Sequence, residues 1–221
     1  MPRTKRITPG GMIFHVLNRG VDRRKIFYSQ RDYAAFEEIV EQTLRLYSMR
    51  ILAYCLMPNH WHFVLWPEKD ADLSAFMQRL TNTHTQRWQR AKCKVGYGHL
   101  YQGRFKSFPV ETDEYFYSLT RYVERNALRA GLVERAEEWR YGSLRRRVNN
   151  AQRPILTDWP LKEPEDWTQH VNQPQTEAEL EAIRRCVQRG RPFGSEAWVQ
   201  ATAASLGLAS TLRSRGRPKR N

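Results

Sequence analysis

No apolar run in this chain reaches the length of a membrane span, and its first residues, MPRTKRITPGG, lack the apolar core of a secretion signal. The expectation is an intracellular, cytoplasmic protein that does not insert into membranes. Cysteine is scarce: Cys55, Cys93 and Cys186 are widely separated, which excludes a disulfide framework and any paired-cysteine metal site. Acid is in short supply as well. The 23 Asp and Glu are outnumbered by 37 Lys and Arg, leaving a formal net charge of +14. Such an excess speaks for a polyanionic partner, nucleic acid first and an anionic surface second. No internal repeat is visible.

What remains is ample for a packed core: 221 residues, 40% hydrophobic and 12% aromatic. GMIFHVLNRG alternates Ile13, His15 and Leu17 against Phe14 and Val16, the period of a strand. RDYAAFEEIVEQTLRLYSM spaces Tyr33, Phe36, Val40, Leu44 and Tyr47 by three and four, the period of an amphipathic helix. RILAYCLM and HWHFVLW flank Pro58-Asn59 and read as a hairpin. A second helix carries Leu73, Phe76, Met77, Leu80, His84 and Trp88, and GRFKSFPVE alternates again. TDEYFYSLTRYVERNALRAGLV reads as one long helix, with Thr112 as its expected cap and Gly131 near its end. The order β-α-β-β-α-β plus a helix spells an α+β, ferredoxin-like split βαβ: an antiparallel sheet, helices on one face, then an additional helix.

MPNHWHF, residues 57–63, is the informative stretch. Alternate strand residues share a face, so His60 and His62 point one way while Trp61 and Phe63 point into a core. Two adjacent imidazoles suit a divalent ion, although a bare His-x-His is more commonly a pair of solvated strand histidines. His15 and His84 each stand alone in an apolar pattern and read as packed core histidines. Tyr122 and Asn126 lie four apart, on one helical face; a carboxamide oxygen can ligate and a phenol can act as nucleophile.

Taken together, LMPNHWHFVLWP and GRFKSFPVETDEYFYSLTRYVERNALRAGLV resemble the single-tyrosine His-hydrophobic-His transposases, in the branch associated with repetitive extragenic palindromes. The likeness runs from FHVLNRG to the closing LGLASTLRSRGRPKR. It implies that His60, His62 and Asn126 hold Mg²⁺ or Mn²⁺ and that Tyr122 is the nucleophile. It further implies single-stranded DNA cleavage at hairpins of palindromic repeats through a 5′-phosphotyrosine, by a monomer or a homodimer. Such relatives often read Asn-Pro where this chain has Asn126-Ala127, and losing that proline should let the helix continue smoothly.

Basic and aromatic residues interleave in YQGRFKSF and RWQRAKCK, as in single-strand binding grooves. Arg19, Arg104, Lys106, Arg121 and Arg125 are the expected phosphate contacts. In the tail, Arg215-Gly216-Arg217-Pro218 is similar to the core of an AT-hook, with Arg215 and Arg217 at DNA and non-specific phosphate attraction as the simpler account. The expected organisation is a catalytic domain over 1–147, a linker or wrapping segment over 148–175, a small helical region over 176–210 capped at Ser195, and a basic disordered tail over 211–221. The other functional class is a non-catalytic hairpin-binding protein derived from a transposase; in either case the expected location is with the nucleoid.

Overall fold

The structure, a computed structural model, describes residues 6–149 and 155–213; the expected tail contacts Arg215 and Arg217 lie outside the described residues. Along the chain run β1 (Ile13–Arg19), α1 (Gln30–Leu44), β2 (Met49–Met57), β3 (His60–Pro67), α2 (Asp72–Ala91), β4 (Lys106–Val110), α3 (Glu114–Glu124) and α4 (Asn126–Arg129). Four further helices follow: α5 (Ser143–Val148), α6 (Trp167–Asn172), α7 (Glu177–Arg189) and α8 (Glu196–Ser205).

The strands form one antiparallel sheet in the order β2-β3-β1-β4, the split βαβ arrangement expected from the element order. Strand alternation sorts the apolar residues onto two faces. Phe14, Val16, Tyr54, Trp61, Phe63 and Leu65 pack under α1 and α2, meeting Phe36, Ile39, Phe76 and Leu80. Ile13, Cys55, Val64, Phe108 and Val110 face the other way, onto Phe116, Leu119 and Val123 of α3 and Ile183 of α7. The sheet is therefore covered on both faces, which explains why its strands are apolar almost throughout.

Both sheet edges are closed by the C-terminal segment, as an exposed edge would require. Along β2, the backbone N–H of Leu56 donates to Tyr141, that of Thr157 donates to Ile51, and the indole of Trp159 donates to the Leu52 carbonyl. Along β4, Phe193 bridges Val110 in parallel, its N–H donating to Pro109. The stretch over 148–175, expected as a linker or wrapping segment, contains the short helix α6, and α5 ends where it begins. Trp167 and Val171 of α6 build a small core with Leu144 and Ala136, seated on the end of α3.

Two local expectations change. Asp113, not Thr112, caps α3: its carboxylate accepts from the Tyr115 N–H at 2.9 Å, a stronger acceptor at the positive end of the helix. Ser195 occupies the N-cap position of α8, but its hydroxyl turns to the Glu111 carboxylate instead of the helix.

At the base of α3, Glu124 is fully buried, accepting from the Ser143 hydroxyl at 2.5 Å and the Trp167 indole at 2.7 Å. Burial pushes this carboxyl above its ordinary 4.5, and Glu163 adds to the rise, although both hydrogen bonds and the Arg147 charge pull it down. The folded state therefore keeps a proton that the unfolded chain releases at about pH 4.5, so this group subtracts stability as pH climbs beyond that value. Urea midpoints of Glu124→Gln are expected to fall less than wild type between about pH 5 and 8. Parallel curves would show that Glu124 is ionised at little cost.

Candidate active site

Position is set first by the hairpin between β2 and β3. Its two-residue turn is held from outside: the Pro58 carbonyl accepts from Ile26 and Phe27, and the Asn59 carbonyl accepts from Gly20. The strand that leaves this turn begins with His60, directly opposite Arg19 of β1, and His62 lies opposite Leu17. His60 and His62 share the face toward α3, and Trp61 and Phe63 are buried on the other. Their rings stand edge to face at 5.0 Å between centroids.

In each ring one nitrogen is engaged and the other is not. His60 Nδ1 lies 2.6 Å from Asn59 Oδ1, and His62 Nδ1 lies 2.9 Å from His15 Nε2. Both Nε2 atoms are left without a hydrogen bond among the described residues. Such outer contacts fix ring orientation and leave the free nitrogen to ligate. Desolvation, with Arg19 and Arg129 adding to it, pushes His60 down to about 3. Desolvation lowers His62 too, followed by the charges of His60 and His15. Neutral imidazole at physiological pH is the ligating form.

His15 is packed, as expected of a lone histidine in an apolar pattern, stacked on His62 at 5.1 Å and tilted against Phe108 at 4.8 Å. Its direct hydrogen bond to His62 was not foreseen; only the pairing of β1 with β3, which makes the two diagonal neighbours, creates it. His84 is a core residue, stacked on Phe27 and bonded to the Tyr101 hydroxyl at 2.5 Å.

Tyr122 comes from α3, its ring edge-on to His62 at 5.9 Å and to His15 at 6.5 Å. Arg129 was not anticipated here. Its guanidinium lies 4.1 Å over the Tyr122 ring and donates to the Tyr122 carbonyl at 3.4 Å. The helix does not continue smoothly as expected from Ala127: it breaks at Arg125, and α4 starts at Asn126. Because the Arg129 side chain serves the Tyr122 carbonyl, that carbonyl has a partner outside the helical ladder. Asn126 is buried, and its Nδ2 has no hydrogen-bond partner among the described residues. A carboxamide can turn its oxygen into the same place, so an orphaned amide end suits a cation ligand. Among the described residues no three of His, Cys, Asp and Glu gather in a metal-binding arrangement. An ion at His60 and His62 would therefore need a neutral oxygen such as that of Asn126.

Beside Tyr122 opens a cavity of about 520 Å³. Arg19, Arg104 and Lys106, three of the expected phosphate contacts, line it together with Arg184 of α7, and among the described residues no carboxylate does. Arg184 was missed because its helix lies far away in the chain. Arg121 and Arg125 are placed elsewhere. Arg121 donates to the carbonyls of Gln173 and Pro174, and Arg125 to those of Val171 and Asn172. Both tie the C-terminal segment onto α3 and are turned to backbone oxygen, not to the cavity.

A protein-family model described as "Transposase IS200 like" matches residues 10–126, more than half of the chain and all of the strands, both imidazoles, the tyrosine and the asparagine. The chain belongs to that family. This IS200-like transposase is 26% identical over 161 residues to a Haemophilus influenzae protein that carries the name REP-associated tyrosine transposase, covering 69% of the present chain and 89% of the relative. Its fold also matches that of a REP-associated tyrosine transposase solved bound to a REP hairpin. The TM-score is 0.55 at 20% identity, over 75% of this chain and 96% of the other. Among its described residues no helix is long and apolar enough to cross a membrane.

Proposed function

We propose that this transposase is a metal-dependent single-stranded DNA endonuclease and strand transferase that acts at hairpins of palindromic repeats. The observation that carries the reading is the Tyr122 ring against His62, with Tyr122 lining a cavity that holds arginine and lysine and, among the described residues, no acid. The hairpin substrate is the one named for the similar solved structure.

Arg19, Arg104 and Lys106 would hold the backbone so that the scissile phosphate sits before the phenol. The Tyr122 oxygen attacks phosphorus in line and loses its proton. The bond from phosphorus to the 3′ oxygen breaks, leaving a 3′-hydroxyl and a 5′-phosphotyrosine. Attack by a 3′-hydroxyl on that linkage reverses or redirects the reaction, and no nucleotide cofactor is needed because the bond energy is conserved. His60 and His62 through Nε2, with Asn126, would hold Mg²⁺ or Mn²⁺, which when bound supplies Lewis-acid polarisation of a non-bridging phosphate oxygen. Arg129, over the Tyr122 ring, would place positive charge beside the phenol that must give up its proton.

The test uses labelled hairpins with a single-stranded foot, incubated with Mn²⁺ or Mg²⁺ and resolved on a denaturing gel. A covalent protein–DNA band is expected with metal and none with EDTA. Re-addition of Mn²⁺ should restore it. Tight hairpin binding with no covalent band under either metal would leave the non-catalytic hairpin-binding reading instead.

A further inference from the structure

The outer face of α2 carries a second feature that charge and cleavage do not use. Gln78, Asn82 and Gln86 are four residues apart and therefore form one exposed stripe, on the opposite side from the buried Leu73, Phe76, Leu80 and His84. Thr81 and Thr85 beside them are turned back onto the helix, their hydroxyls donating to the Met77 and Thr81 carbonyls. The three amides have no hydrogen-bond partner among the described residues. They line a groove of about 870 Å³ whose far wall is the segment from His99 to Phe105.

This groove runs into the Tyr122 cavity: Asn18, Gln102, Gly103 and Arg104 line both. The two halves differ in chemistry. Around Tyr122 lie Arg19, Lys106 and Arg184 in addition to Arg104, whereas along α2 the wall is amide and hydroxyl, again with no carboxylate among the described residues. In a chain with 37 Lys and Arg, an uncharged stripe next to a cationic cavity is a separation of tasks. Phosphate is held by fixed positive charge; an amide competes poorly for it but offers a paired donor and acceptor, the pattern that matches a base edge.

We infer that this groove reads the bases of single-stranded DNA flanking the scissile phosphate, with Gln78, Asn82 and Gln86 as specificity-determining side chains. The inference rests on the transferase reading for its substrate class. It goes beyond it by assigning sequence choice to protein amides on α2.

The test is a binding selection that does not depend on cleavage. Tyr122→Phe protein, with and without Gln78→Ala, Asn82→Ala and Gln86→Ala, is used to select from hairpins whose single-stranded foot is randomised. Tyr122→Phe alone should enrich particular bases at a few adjacent positions, by roughly tenfold to a hundredfold. The triple variant should lose that enrichment while keeping its salt dependence, since no phosphate contact has been removed. Alanine at exposed helical positions maintains the helix, and melting curves verify it. An unchanged base profile overturns the inference, and so does a loss of affinity that is uniform over all sequences with a shallower salt slope. If base preference vanishes as expected but wild type forms no covalent band, the transferase reading fails and the groove stands. If wild type forms the band but the selection shows no base preference, the groove fails alone.

Discussion

Tyr122→Phe is expected to abolish the covalent protein–DNA band, lowering its rate of formation by at least about a thousandfold, while hairpin affinity stays within a few-fold of wild type. Only the phenolic hydroxyl is removed, and it makes no hydrogen bond among the described residues. The ring contacts with His62, His15 and Arg129 survive in phenylalanine. Stability should therefore change by no more than about 1 kcal/mol, which a urea titration of the same preparation would verify. The other buried tyrosines near the sheet are poor substitutes. Burial drives the Tyr54 and Tyr101 phenols upward, and their hydroxyls are engaged by Glu37 and Arg146 in the first case and by Trp61 and His84 in the second. A covalent band that persists in Tyr122→Phe would remove Tyr122 from the chemistry and with it the mechanism.

The second large effect concerns the C-terminal segment. Trp167 is buried at 2% exposure, packs against Trp159 at 5.0 Å and donates to Glu124. Trp167→Ala should cost about 3–5 kcal/mol in urea unfolding, combining a cavity with a buried Glu124 carboxyl group that has lost a donor. Trp167→Phe fills most of the space but gives no N–H, so it should cost about 1–3 kcal/mol and separate the two contributions. The consequence reaches the site, because Arg121 and Arg125 anchor the same segment to the helix that carries Tyr122. A loss below about 1 kcal/mol for the alanine variant would mean that the segment is merely laid on the surface.

The histidine pair shows how far pattern reading reaches. Period-two alternation suffices to put His60 and His62 on one face and Trp61 and Phe63 on the other, and the structure agrees. His15 shows the limit: in sequence it is one more member of an alternating strand, and its bond to His62 exists because β1 and β3 are neighbours 47 residues apart in the chain. The arginines divide on the same principle. Arg19, Arg104 and Lys106 sit on or beside strands whose ends meet at Tyr122, whereas Arg121 and Arg125 are consumed by carbonyls of a segment about which local pattern says nothing.

The helix break belongs to that second class. Asn126-Ala127 carries no proline, so local propensity favours a continuous helix. Arg129, folding back onto the Tyr122 ring and carbonyl, accompanies the break between α3 and α4.

By itself the amino-acid order determined the periods, and hence the element order, the sheet faces, the imidazole pair and the excess of positive charge. Those are local or summed properties, set by side-chain geometry within a few residues. Tertiary structure alone decided which arginines face the phenol, which histidine holds another, how the C-terminal segment closes the sheet edges, and that an uncharged amide stripe on α2 opens into the Tyr122 cavity. Each of these joins residues far apart in the chain, and their encounter is set by the packing of whole elements rather than by any local preference.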